Sequence, residues 1–315
     1  MLRSEPLARP QFDPYVSMPA LTALRTAVQA GDWQATGAFF DSLTDEDDRA
    51  YASSLVSELD GSERFLERVV AELPTAPLPR TLLADRYVVI GWRIRSSSRA
   101  QHVSRDQFRQ FHTWLRRAEQ LLIEVCAEHP GYALAWNARI LSARGLELGQ
   151  SEARRRYDRL SETHPHHYAA QSQLLQQLCP KWSGSWEALH GFARERTAAA
   201  PPGSHTGALV AQAHIEHWLE LDSGADDRYL KDPAVRDELL AAAAVSVLHP
   251  DFRGGHYAIS SHGYFAAALS LGGHHAEAAP HFRALGNNAA SSPWSYLGDK
   301  EAAYLKHRES ALAKG

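Results

Sequence analysis

The sequence predicts an all-α fold, and three observations carry that prediction. Clusters of strand-forming residues are almost absent; Tyr87-Val88-Val89-Ile90 is short and lies inside a longer run with helical spacing. Ala, Leu, Arg, Glu and Gln dominate elsewhere, with apolar residues recurring at three and four positions. Proline-bearing breakers return at a nearly constant interval. His129-Pro130-Gly131-Tyr132-Ala133 reappears as His164-Pro165-His166-His167-Tyr168, 35 residues on, and Pro201-Pro202-Gly203-Ser204-His205 follows 36 residues after Pro165. Proline has no backbone N–H and clashes inside a helix but is accepted in its first turn, so each marker ends one helix and opens the next.

The elements follow in order. Residues 1–19 hold no apolar run of signal-peptide length and read as an N-terminal extension. Leu21, Leu24 and Val28 line one face of a first helix, Gly31-Asp32 turns the chain, and Phe39, Phe40 and Leu43 face back from a second. Breakers at Pro74 to Pro79, Ser96 to Ser98, Asp222 to Pro233 and Gly254-Gly255 bound further helices of about 12–20 residues, ordinary for packed helices. Residues 20–315 read as one helical-repeat domain, irregular over 20–112 and most regular over 113–205 and 250–290.

Composition narrows the class. The chain has 315 residues, 44% hydrophobic and 22% charged, enough apolar material for a sizeable core. Thirty-three Lys and Arg against 37 Asp and Glu give a net charge of −4, which disfavours a whole-surface field for nucleic acid or anionic membrane. No apolar stretch of 18 residues occurs, so no membrane partner is expected. Cys126 and Cys179 are too few to staple the chain and read as buried thiols of a reducing compartment, so a cytoplasmic location is expected.

The residues after the breakers resemble the tetratricopeptide repeat, a helix–turn–helix unit of about 34 residues. Trp136, Arg139, Ala143 and Gly145, then Ala153, Tyr157 and Leu160, stand near its large–small–large contact positions, offset by one inserted residue. Phe265, Ala266 and Leu269, the turn at Gly273, then Ala278 and Phe282 match it better. The resemblance implies a degenerate tetratricopeptide-like α-solenoid of helix pairs. A narrower likeness covers roughly residues 85–205. Lys181-Trp182-Ser183-Gly184-Ser185, followed by Phe192-Ala193-Arg194, with Trp92-Arg93-Ile94-Arg95 upstream, is similar to a bacterial tetratricopeptide-like group of unknown function that carries a Lys-Trp-Gly-Gly-Ser segment. Ser183 stands where that group has its first glycine.

Several places are candidates for binding. Lys181, Trp182 and Ser185 surround a tight turn whose N–H groups and lysine suit a carboxylate or phosphate, although the same residues suit capping and packing. Trp92 with Arg93 and Arg95 heads a basic stretch that continues through Arg99, Arg105 and Arg109; Arg154, Arg155, Arg156 and Arg159 make a second. Guanidinium groups hold anions by paired contacts, though such runs are commonly solvated helix faces, here balanced by Asp45-Glu46-Asp47-Asp48. The repeat alignment puts Asn137, Ile140, Arg144 and Ser172 on the inner faces of first helices.

The function expected is a non-enzymatic adaptor that takes a protein or peptide partner on the concave face, with no cofactor. The alternative is a metal-dependent or biosynthetic enzyme with a His-rich pocket. His164, His167, His214 and His217 are its candidate ligands, although His214 and His217 are three apart rather than in the zinc-protease frame of four. No nucleophile elbow, phosphate loop or dinucleotide fingerprint is present in the sequence.

Overall fold

A computed structural model describes residues 8–96 and 102–315, and these are helical, with one isolated parallel bridge between Gln11 and Asn288 in place of any sheet. Tyr87 to Ile90 lie inside a helix, as their spacing predicts. Two compact units form: residues 20–185, and residues 186–315 joined by the segment 8–19.

The N-terminal segment carries one helical turn, α1 (Pro14–Ser17), capped by Asp13. The 20–185 unit then runs α2 (Ala20–Ala30), α3 (Trp33–Ser42), α4 (Glu46–Glu58), α5 (Ser62–Glu72) and α6 (Pro77–Arg95). It continues with α7 (Arg105–Glu128), α8 (Ala133–Gly145), α9 (Gln150–Ser161) and α10 (Tyr168–Gln177). Local signals set the boundaries. The Asp32 and Asp45 carboxylates accept backbone N–H groups at the starts of α3 and α4. Pro77 opens α6, and Ser104 with Gln107 forms a reciprocal capping box on α7.

Consecutive helices pack as hairpins, α6 on α7, α7 on α8 and α8 on α9. Gly145 makes the middle contact possible, because a Cβ there would stand 2.5 Å from Leu115 and 2.8 Å from Phe111. α4 lies against α6, α8 and α10. Ser53 of α4 donates to the Asp85 carboxylate of α6, and burial pushes that carboxyl up to about 7. At the other end of α4, Asp47 accepts the N–H groups of Tyr168 (3.0 Å) and Ala169 (2.8 Å), a cap for α10 supplied from more than a hundred residues away. The acidic run at 45–48 thus works at helix N-termini.

The buried centre of this unit is ionic. Arg156 of α9 is 2% exposed and donates to Glu119 of α7 at 2.6 and 3.1 Å, to Glu152 at 2.7 Å, and to the Arg139 carbonyl of α8 at 2.6 Å. Arg139 also pairs with Glu119 at 3.5 Å. The hydrogen bonds from Arg156 offset the cost of taking these charges out of water, while Arg139 Nε is enclosed without a partner.

The second unit comprises α11 (Trp186–Ala199), α12 (Ala208–Leu219), α13 (Asp226–Tyr229), α14 (Pro233–Val245), α15 (Ala258–Leu271), α16 (His275–Leu285) and α17 (Lys300–Lys314). α12 packs on α11, α14 and α15, and α15 forms a hairpin with α16 through Gly273 at φ +78°. Phe265, Ala266, Leu269, Ala278 and Phe282 are all buried between them. Arg308 of α17, itself buried, donates to the carbonyls of Gly286 and Ala8 and so ties the N-terminal segment to the last helix.

Replacing Glu119 by leucine strands Arg156 and Arg139 in the core and is expected to lower the unfolding free energy by about 3–5 kcal/mol. Adding Arg156→Met to that variant restores part of the loss. Urea denaturation of the two variants checks both statements.

Candidate functional site

Two side-chain clusters stand out, one in each unit. In the 20–185 unit the structure gathers Trp92, Arg95, Arg144 and Trp182. Trp92 and Arg95 are three apart near the end of α6 and so share a face. The Trp182 ring meets the Trp92 ring edge-on, with centroids 5.9 Å apart, and Phe111 backs Trp92 at 4.9 Å. The Arg95 guanidinium lies 5.6 Å from the Trp92 centroid and 5.9 Å from that of Trp182; Arg144 also stands 5.9 Å from Trp182. Arg144 is held in place by the Gln173 carbonyl at 3.0 Å and the Gln173 side-chain oxygen at 2.9 Å.

The turn carrying Trp182 is pinned from both sides. Its carbonyl accepts from Gln150 (2.8 Å) and Gln177 (3.2 Å), and the Gly184 N–H donates to the Cys179 carbonyl at 3.1 Å. A Cβ on Gly184 would fall 1.9 Å from the Leu178 carbonyl oxygen, so only glycine fits. Ser183 sits at φ +68°, in the left-handed region that glycine occupies without strain. Lys181 and Ser185 are exposed beside it.

Other predicted residues go elsewhere. Arg93, expected alongside Trp92, instead pairs with Glu58 at 2.6 Å and with Asp60, whose carboxyl it holds below the ordinary range. One residue along a helix is a rotation of about 100°, which carries Arg93 off the Trp92 face. Asn137 is half-buried on α8 with its Oδ1 enclosed and unpartnered, and Ser172 is half-buried on α10. The second arginine run is met by its own helix and α7: Arg154 by Asp158, Arg155 by Glu152, Arg159 by Glu162, and Arg156 by the buried network. Arg109 pairs with Asp106, and Arg99 lies outside the described residues. Both cysteines are buried thiols outside any disulfide, and burial pushes the Cys126 thiol up to about 11.

The histidines divide. His167 caps α10, its Nδ1 accepting the Ala170 N–H at 3.1 Å beside Asp47, and burial lowers it to about 4. His164 contacts Thr163 at 2.9 Å. His262, at a position that helical packing fills with a large side chain, does pack: it meets His281 at 3.1 Å, and His281 stacks on Phe265.

His214 and His217 belong to the second cluster. Both lie on α12, and the structure adds His190 of α11, Tyr229 of α13 and Glu238 of α14. The Tyr229 hydroxyl is a focus: His214 Nδ1 lies 2.8 Å from it, His217 Nδ1 2.9 Å and His190 Nε2 3.4 Å. His190 Nε2 and His217 Nδ1 are themselves 3.1 Å apart. Behind them His214 Nε2 faces Glu238 at 3.3 Å, and Arg194 donates to the same carboxylate at 2.7 and 3.1 Å. Trp186 stacks on His217 at 4.3 Å, nearly parallel, and fixes its ring. The hydrogen bond from His214, aided by Arg194, holds Glu238 down to about 2. Burial, then the neighbouring imidazoles, lowers His190 to about 3; burial and the Glu238 charge raise the Tyr229 phenol. Among the described residues, no three His, Cys, Asp or Glu side chains form a group that could hold a metal ion. No protein family, curated protein or solved structure matches the chain.

Ser183→Gly is expected to raise stability by about 0.5–1 kcal/mol through relief of the left-handed backbone, whereas Gly184→Ala is expected to cost about 3 kcal/mol or more. Thermal melts of the two variants test the pair. A pH titration tests the buried imidazoles. Burial lowers His262 to about 4 and His281 to about 3, against about 6.5 for an ordinary histidine. The unfolded chain therefore binds more protons across that interval, and stability falls as pH is lowered from 6.5 to 4. The slope is at most about 1.4 kcal/mol per pH unit for each group. A His262→Leu, His281→Phe double variant should show a shallower decline in urea midpoint over the same range.

Proposed function

We propose that the chain is a non-enzymatic binding protein whose 20–185 unit is a tetratricopeptide-like array of helix pairs, taking an acidic segment of a partner protein at the Trp92, Arg95, Arg144, Lys181 and Trp182 cluster. One observation carries the reading: guanidinium groups from two different helices converge on a single indole, in a turn held rigid by Gln150 and Gln177. Planar cations set against an aromatic face are suited to carboxylates, which they meet with paired hydrogen bonds. The consecutive hairpins of α6 to α9 support the repeat reading, and the Lys-Trp-Ser-Gly-Ser turn supports the likeness to the bacterial group.

The place of α4 bears on where a partner sits. It packs on α6 and on α8 and α10, the two helices whose Asn137, Ile140, Arg144 and Ser172 are expected on the inner face, which favours a partner seated away from α4. The indole–guanidinium cluster, with exposed Lys181 beside it, is the place left for an acidic guest. Neither nucleic acid nor membrane is needed: the net charge is −4, and among the described residues no helix is long and apolar enough to cross a membrane.

Titration of intrinsic tryptophan fluorescence with a set of acidic, neutral and basic peptides tests this. The expected result is saturable binding of acidic peptides that weakens with added salt and falls about tenfold or more in Arg95→Ala and Trp182→Phe. Indifference to every acidic peptide, or binding that both variants leave untouched, defeats the reading.

A further inference from the structure

The second cluster lies in the other unit and does not depend on the peptide reading. His190 Nε2, His217 Nδ1 and Tyr229 Oη form a triangle with edges of 3.1, 2.9 and 3.4 Å, its corners supplied by α11, α12 and α13. From the geometry of these three donors, we infer that they form a site for one first-row transition-metal ion of the zinc, copper or iron type. An ion at about 2.1 Å, the usual metal–nitrogen and metal–oxygen length, reaches all three atoms at once from about 1 Å above their plane. The third donor is a phenol, beside two imidazoles, rather than a third imidazole, a thiolate or a carboxylate. Imidazole with phenolate oxygen suits these ions rather than calcium or magnesium.

The surroundings of the triangle are those of a metal site. His214 stands behind the phenol, its Nδ1 2.8 Å from the Tyr229 oxygen and its Nε2 3.3 Å from Glu238, and Arg194 donates to the same carboxylate at 2.7 Å. Binding of an ion through the phenolate releases the phenol proton, and the His214 ring lies within hydrogen-bond reach of that oxygen. The cluster thus contains a ready outer shell: a carboxylate that orients an imidazole, which orients a ligand. Trp186, stacked on His217, fixes a second ligand. Three protein donors leave at least one position for water or a substrate oxygen.

The full untagged chain, stripped with chelator and titrated separately with Zn²⁺, Cu²⁺ and Fe³⁺, provides the test. The expected result is one ion per chain and, with Cu²⁺ or Fe³⁺, a visible phenolate-to-metal charge-transfer band. Tyr229→Phe abolishes the band while leaving weakened binding, His217→Ala weakens binding at least 100-fold, and His214→Gln weakens it about 10- to 100-fold as an outer-shell change. Circular dichroism confirms that each variant is folded. The wild-type spectrum decides without any variant: stoichiometric binding with no phenolate band overturns the assignment, as does failure to bind any of the three ions. Binding that survives His190→Ala with His217→Ala would place the ion elsewhere and overturn it equally.

Discussion

Arg156 reaches from α9 into the space where α7 and α8 meet, and the packing of that whole region depends on its charge being fully answered there. Glu119 arrives from α7, the Arg139 carbonyl from α8, and Glu152 from one turn back on the same helix. An apolar side chain would bring these helices together with less directional demand. A guanidinium allows few arrangements in which all its donors are met, and so sets the rotation of three helices at once. The outer features follow from that setting. Gly145 comes against Leu115 and Phe111, Phe111 backs Trp92, and Trp92 receives the Trp182 turn.

A second constraint is the position of α4. By capping α10 through Asp47 and holding Asp85 through Ser53, this helix spends its polar residues on the interior faces of its own unit. The asymmetry bears on the binding role proposed above. An array of helix pairs with an open inner surface accepts long extended guests, whereas one partly lined by its own helix offers a short, chemically defined place. In that proposal binding rests on a few cationic and aromatic groups rather than on area.

Helix pairing was legible because its causes are local. Proline markers, aspartate caps and apolar spacing act over a few residues, and they gave the hairpins of α8 with α9 and α15 with α16. The meeting of Trp92 with Arg95 was also within reach, since i and i+3 share a face, and the same rule excludes Arg93. The solvated reading of the second arginine run holds for Arg154, Arg155 and Arg159 but not for Arg156, which stands three residues after buried Ala153 and four before buried Leu160. The helical wheel places it inward, and only the assumption that charge means solvent hid this. The imidazole cluster was half visible. His214 and His217 are close in sequence, but His190, Tyr229 and Glu238 come from three other helices, and Tyr229 lies in a stretch whose composition reads as loop. Nothing local brings such residues together; tertiary packing does.

The bond from Arg308 to the carbonyl of Ala8 joins positions 300 residues apart. During synthesis the segment 8–19 emerges ahead of the 20–185 unit and meets Arg308 only after that unit has been made. The residues of the 20–185 unit, with its Arg156 network and its Asp47 cap on α10, are translated in between. The ribosome therefore delivers the residues of one body while the other still waits for its closing strap, and the time spent waiting is set by translation rather than by diffusion of the chain.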